Sequence, residues 1–311
     1  MAFESATERP RVFAAFAVPT LAWLVAFFAV PLGIVFLYSV GENVSLTEIR
    51  TTWTLDNYAR LLEPELLTLA ARSLRVAAIA TAICLAVGLP VAMLMATAPA
   101  RAKPWLLLAI VLPFWTNLLI RTYALLNILG TRGRVNELLG FLHEKAQALL
   151  GLLGLGGLGL LDERFAPVRF LGTEAGVVYG IVYVSLPFAI LPLYSTLERT
   201  DRTLLEASLD LGAGQWTTFR RVLVPLAAPG IATAALITFA PALGQFLIPD
   251  LLGRGQTDMI ANVIERQFKQ ANDWPFGSAL SLVLLYATFA LLAARAFADA
   301  RRARAAPVRR A

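Results

Sequence analysis

The sequence predicts an all-α integral membrane protein with six transmembrane helices. Of its residues 58% are hydrophobic and only 15% charged, whereas soluble domains carry roughly 25% charged residues. The mean hydropathy is +0.67. The apolar residues also gather into six long runs without the alternation of barrel strands, so helices are the spanning form.

A hydrocarbon layer about 30 Å thick needs about 20 apolar residues in a helix. The first run, 13–38, is 26 residues long, beyond the roughly 7–15 apolar residues of a signal peptide, and reads as a retained helix. The second, 76–97, contains Cys84, the single cysteine, so an intramolecular disulfide is excluded. The third, 104–129, includes LPFWTNLLIRTYAL. Thr116 and Asn117 lie deep in it, where such side chains bond across helices. Arg121 falls roughly 26 Å along the axis, near the outer interface, either snorkelling or serving as a structural pair or part of a pathway.

The fourth run, 175–197, and the fifth, 222–249, hold Pro187, Pro192 and Pro241. These prolines, with Pro19, Pro31, Pro90 and Pro113, predict kinks rather than breaks. The sixth run, 277–294, follows DWPFG, where Trp274 suits an interfacial anchor and Pro275 a first helical turn.

Sorting the loops by parity orients the helices. One set (the N-terminus, 98–103, 198–221 and the chain from 295) holds 14 basic and 7 acidic residues, the other (41–75, 130–174, 250–276) 12 and 14. The first set is much shorter and so denser in Arg and Lys, which places it and both termini in the cytoplasm. Residues 1–12 are then a cytoplasmic N-terminus, 13–298 the membrane domain, and 299–311 a basic cytoplasmic tail.

Several chemistries find no support. Basic residues cluster at helix ends, not on a soluble domain, so the isoelectric point near 9.8 does not imply nucleic acid. Gly154-x-Gly156-x-x-Gly159 matches the dinucleotide fingerprint formally, but no strand precedes it and it falls in an external loop. No phosphate-binding G-x-x-x-x-G-K-[ST] occurs, so any ATP must be bound by a partner. His143, the one histidine, reads as a solvated loop residue, and no motif of an intramembrane enzyme accompanies it. No cofactor or metal is expected.

The longest cytoplasmic loop, ERTDRTLLEASLDLGAGQWTTFRR (198–221), is the most informative segment. Arg202, Glu206 and Asp210 recur every four residues on one helical face, with Leu205, Ser208, Leu209 and Gly212 on the other. Gly212 and Gly214 suit a helix end, after which Gln215–Arg221 can resume: helix, turn, helix. Thr203-x-x-Glu206 also fits a capping box, so Glu206 serves either a partner or the helix start.

Glu206, Ala207, Ser208, Gly212 and Val222-x-Val224-Pro225 resemble the cytoplasmic "EAA" motif of ABC importer permeases: E-A-A, three residues, G, nine residues, I-x-L-P. Ser208, Val222 and Val224 depart conservatively from it. LPFWTNLLIRTYAL, GTRGRVNELL, LPFAILPLYSTLE and NDWPFGSALS look like the spermidine/putrescine branch.

The resemblance implies a type I ABC importer permease (MetI-like) fold in a bacterial inner membrane. It further implies a second homologous permease subunit, two cytoplasmic ATP-binding subunits and a periplasmic solute-binding protein. Glu206, Ala207, Ser208, Asp210, Gly212 and Pro225 would then couple to the ATPase. The implied solute is a polyamine, with opines, amino-acid-like compounds and phosphonates as neighbours; a channel or carrier without an ATPase is the competing class. Asp250 at the external mouth would attract a cation, or is a solvated helix end. Phe246, Trp115 and Tyr183 offer aromatic faces to a cation, and Asn117 completes the candidate path.

Overall fold

The computed structural model describes residues 10–45, 49–152, 165–201 and 203–305; Gly154-x-Gly156-x-x-Gly159 and Arg202 lie outside them. Among the described residues five helices are long and apolar enough to span a membrane: Ala17–Ser39, Pro64–Thr97, Glu174–Glu198, Gln215–Leu243 and Trp274–Ala294. A bent pair, Lys103–Trp115 and Leu118–Leu150, brings the number to six if it is taken as one broken span. The chain divides into two compact units, Met1–Leu67 with Val263–Ala311, and Thr68–Asn262.

The first unit contains α1 (Pro10–Leu24), α2 (Val30–Ser39), β1 (Gly41–Asn43), β2 (Ile49–Thr51), α3 (Asp56–Arg60) and α14 (Trp274–Ala305). A π-helical segment, Val25–Ala29, joins α1 to α2. Pro31 explains it: proline lacks the N–H that Phe27 would accept and crowds that carbonyl, and the wider turn relieves both. Helix α14 packs along α2. The strands pair antiparallel, Gly41 opposite Thr51, and buried Asn57 donates to the carbonyls of Ser39 and Gly41.

Asp273 caps α14 by accepting from the Phe276 N–H, with Pro275 in the first turn as expected. Its carboxylate also pairs with Arg60 at 3.0 Å, whose guanidinium lies over the Phe276 ring. Trp274 stands edge-on to Tyr38 and Phe268. It is therefore wedged between rings as well as partly exposed.

The second unit is organised on α8 (Glu174–Glu198), whose central residues are mostly buried. Around it run α4 (Pro64–Thr97), α5 (Lys103–Val111), α6 (Leu118–Leu129), α7 (Arg134–Leu152), α9 (Thr203–Asp210), α10 (Gln215–Thr218), α11 (Val224–Leu243) and α12 (Leu247–Gly253). Both α4 and α13 (Ile260–Lys269) continue from one unit into the other. Helix α11 packs along α8, and α12 packs on α8 and α6.

Small residues make the α8–α11 contact possible. Ala189, Ala227 and Ala234 are wholly buried beside Leu193 and Cys84, and a Cβ at Gly230 would run into the Thr196 side chain. Where lipid is as apolar as leucine, such close packing supplies the attraction between helices. Arg75 adds a two-pronged ion pair to Glu174, at 2.6 and 3.1 Å, joining α4 to the start of α8.

Five expectations need correction. The third span is not one kinked helix: it breaks after a 3₁₀ turn, Leu112–Trp115, and turns by 94°. Pro113 cannot extend the helical bonding, Thr116 is extended, and Asn117 starts α6 anew by accepting from the Leu119 N–H. Thr116 and Asn117 thus bond locally, to Pro113 O and Leu119 N, not across helices. Arg121 consequently lies early in α6, not near the end of a continuous span, with its guanidinium 6.0 Å from the Phe114 ring.

The fifth span ends at Leu243 with Gly244 as its cap, so Phe246 and Asp250 belong to the cap and first turn of the separate α12 and not to the fifth helix's outer end. The loops 130–174 and 250–276 also contain helices, α7 and α13, that the apolar runs did not announce. His143 sits half-buried on α7 with its ring 5.8 Å from Phe165, not in a solvated loop.

Candidate functional site

The stretch between α8 and α11 folds as helix, turn, helix. Helix α9 opens on Asp201, whose carboxylate accepts from the Thr203 N–H. Thr203 is the first residue of α9 and not its cap, so Asp201 performs the capping that the Thr203–Glu206 pattern had suggested. The helix closes in a Schellman turn: Gly212 N–H bonds Leu209 O at 2.9 Å and Ala213 N–H bonds Ser208 O at 3.1 Å. Gly212 takes φ +83°, the left-handed conformation such a turn requires.

Across the turn, Ser208 Oγ and Thr218 Oγ1 share a 3.0 Å hydrogen bond, which fixes α9 against α10. A second π segment, Phe219–Leu223, then leads into α11. Pro225 is its cause, as Pro31 is in the first unit, because the carbonyl it crowds belongs to Arg221 within the segment.

Glu206, Ala207, Asp210 and Gly212 are exposed, and Leu205 and Ser208 half-buried. The sequence's two-faced division holds for Glu206, Asp210, Leu205 and Ser208 but not for Leu209, which is 46% exposed, nor for Gly212, where a Cβ would meet nothing within 4 Å. Behind α9 lies a groove of about 210 Å³ between Leu205, Glu206 and Leu209 and the ends of α4 and α8 at Met93, Thr97 and Leu197. Lys103 and Glu198 pair at 3.0 Å. That pair ties the end of α8 to the start of α5.

The candidate path residues fall at two breaks and one helix face. Trp115 and Asn117 flank the α5–α6 break, with Trp115 78% exposed. Phe246 caps α12 and Asp250 lies in its first turn, where Asp250 N–H bonds Phe246 O. Asn262 also donates to Phe246 O at 2.8 Å, fixing the turn. Tyr183 is partly exposed on α8, the helix on which α12 packs.

A family model for the binding-protein-dependent transport system inner membrane component matches residues 88–302. This chain belongs to that family. The permease is 40% identical over 267 residues, 86% of each chain, to the spermidine/putrescine transport system permease protein PotB of Salmonella typhimurium (strain SL1344). Its fold is that of solved ABC transporters. A bacterial transporter that imports the acidic polysaccharide alginate matches with a TM-score of 0.68 at 17% identity, covering 96% of this chain and 98% of that one. A bacterial alginate transporter in complex with a periplasmic protein matches at TM-score 0.65 and 16% identity, covering 91% and 92%. The permease is a membrane subunit of an ABC importer.

Sequence reading passed over two apolar residues of the permease's loop. Leu211 is 88% and Trp216 72% exposed, on either side of the glycine turn, with Trp216 stacked on Phe219. A leucine directly before a C-terminal glycine and a tryptophan in the next first turn were the available signals.

The Thr203 backbone N–H, then its hydroxyl, hold the Asp201 carboxyl below the usual carboxylate value. A depressed carboxyl contributes stability above its unfolded value and loses it as pH falls through the folded one. Asp201→Ala is expected to raise hydrogen exchange several-fold across the first turn of α9, with Asp201→Asn retaining most protection. Acidification through the depressed Asp201 value should lower the protection of the same amides, relative to their intrinsic exchange rates, in the unsubstituted permease. Unchanged exchange in Asp201→Ala would remove Asp201 as the cap.

Proposed function

We propose that this permease imports a polyamine of the spermidine/putrescine type and receives its driving force through α9. The observation that carries the reading is the 40% identity, over 86% of both chains, to a permease named for those two solutes. The geometry of the loop supports the coupling. Glu206, Ala207, Ser208, Asp210 and Gly212 form a compact projecting unit whose small residues permit a close neighbour, and Pro225 sets the wide turn into α11. A cytoplasmic ATPase would receive α9, one copy for this permease and one for a second homologous subunit. A periplasmic binding protein would deliver the solute on the opposite face.

In this reading residues 1–12 and 299–311 are cytoplasmic and 13–298 form the permease domain. Closure of the ATPase pair draws the two α9 helices together and rocks the spans as rigid bodies. Asp250, Phe246, Trp115, Asn117 and Tyr183 contribute to the solute's route.

The test is ATP-dependent uptake of radiolabelled putrescine and spermidine by the reconstituted complex, with opines and phosphonates as competitors. Uptake of neither amine, or uptake without the ATPase, would overturn the reading. Asp250→Asn is expected to raise the amine concentration for half-maximal uptake roughly three- to tenfold at low ionic strength, and less at high salt. Identical uptake curves would return Asp250 to a solvated helix turn.

A further inference from the structure

A cavity of about 290 Å³ in the second unit is rimmed by three arginines, Arg132, Arg169 and Arg254, together with Asn127 and Thr131. They come from three segments distant in sequence, and the backbone beneath them is clamped. Asn136, only 4% exposed, donates to Gly130 O and Val168 O and accepts from the Val168 N–H. That side chain joins the turn carrying Arg132 to the irregular segment carrying Arg169. The Gly172 N–H bonds Leu252 O at 2.7 Å, joining the same segment to the end of α12. Arg254 follows directly, held at φ +49°.

Among the described residues no carboxylate pairs with any of the three; Glu137, on the next helix, is taken by Arg134. All three guanidinium groups are exposed. The loops that carry them belong to the set with 14 acidic and 12 basic residues. A concentration of three positive charges is thus a local reversal of the sign of that face. It would repel a polyamine, so the cavity is not a station for the cargo.

We infer that Arg132, Arg169 and Arg254 form a docking socket for carboxylate side chains on the periplasmic solute-binding protein. This rests on the proposed function and on the external placement of loops 130–174 and 250–276. Arginine's planar fork matches a carboxylate with two parallel hydrogen bonds, and a cavity with three forks accepts an inserted acidic side chain. Charges at such a rim act chiefly on the association rate and its salt dependence.

The experiment uses the complete complex in lipid nanodiscs, titrated with its solute-loaded binding protein, reading ATPase stimulation at low and at high sodium chloride. The triple variant Arg132→Gln, Arg169→Gln, Arg254→Gln is expected to raise the half-stimulating concentration about tenfold at low salt and to flatten the salt dependence. Arg254→Gln alone should give a smaller shift in the same direction, and size-exclusion of each complex verifies assembly. An unchanged half-stimulating concentration in an assembled triple variant overturns the socket while leaving the proposed function intact. A wild-type complex that its binding protein fails to stimulate overturns both. A shift that vanishes in nanodiscs lacking anionic lipid assigns the arginines to headgroups instead, and also overturns the socket.

Discussion

Gly212→Val is expected to abolish ATP-dependent uptake while the permease still inserts in the membrane. At φ +83° a β-branched side chain meets its own backbone, at a cost of about 1–3 kcal/mol. The two hydrogen bonds that close α9, Gly212 to Leu209 and Ala213 to Ser208, would be strained or lost, at about 1 kcal/mol each. Helix α9 is 8 residues long, too short to persist on propensity alone. Nothing in the surrounding structure lies within 4 Å of a Cβ at this position, so the damage stays in the turn and the spans remain sound.

Gly212→Asn separates two causes. Asparagine tolerates the left-handed region, so it preserves the turn and adds only bulk. Lost uptake in both variants points to close approach by the ATPase, and loss in valine alone points to the turn. Full uptake by Gly212→Val would dismiss the loop as the coupling element.

The second large effect belongs to Gly230→Leu. The added side chain would occupy the space of Thr196, whose hydroxyl is already committed to Pro192 O at 2.9 Å. Overpacking of this kind costs about 1–3 kcal/mol, and more where neither backbone can retreat. The purified variant should unfold at a clearly lower temperature and accumulate poorly, with Gly230→Ala milder. Adding Thr196→Ala should recover part of the loss in Gly230→Ala, since it removes the nearest atom but not the Thr196 Cβ. Wild-type thermal stability in Gly230→Leu would mean that α8 and α11 do not rely on this contact.

The spans were legible because a membrane demands length and apolarity together, and little else in a sequence satisfies both. The glycine turn was legible because one residue type answers to one backbone angle. Pro113 shows where that legibility ends: helices run on through Pro90, Pro187, Pro192 and Pro241 but stop after Pro113. A proline removes the same donor everywhere, and whether the chain kinks or restarts depends on its surroundings. Here Asn117 is ready to cap a new helix.

That break displaced the expected position of Arg121, and the Gly244 break did the same for Phe246 and Asp250. Helices α7 and α13 escaped notice because their residues are mixed, without a long apolar run. The arginine socket had no linear signal at all. Arg132, Arg169 and Arg254 meet only because Asn136 and Gly172 bond across segments, and such bonds are settled by tertiary structure.

The π segment Phe219–Leu223 fixes an angular phase. A π turn takes up about one residue more than an α turn, so everything beyond it is rotated by about 100° relative to an uninterrupted helix. The Gln215–Leu243 span therefore has two hydrophobic wheels that must be drawn separately. The wheel beginning at Val224 points Ala227, Gly230 and Ala234 toward α8, and the one before it points Thr218 toward Ser208. Deleting one residue between Gly212 and Pro225 would leave the composition almost untouched, yet it would swing the small-residue face of α11 away from its partner or turn the loop out of register. The fixed count of nine residues between that glycine and Val222 is, in this sense, a setting of rotation rather than of length.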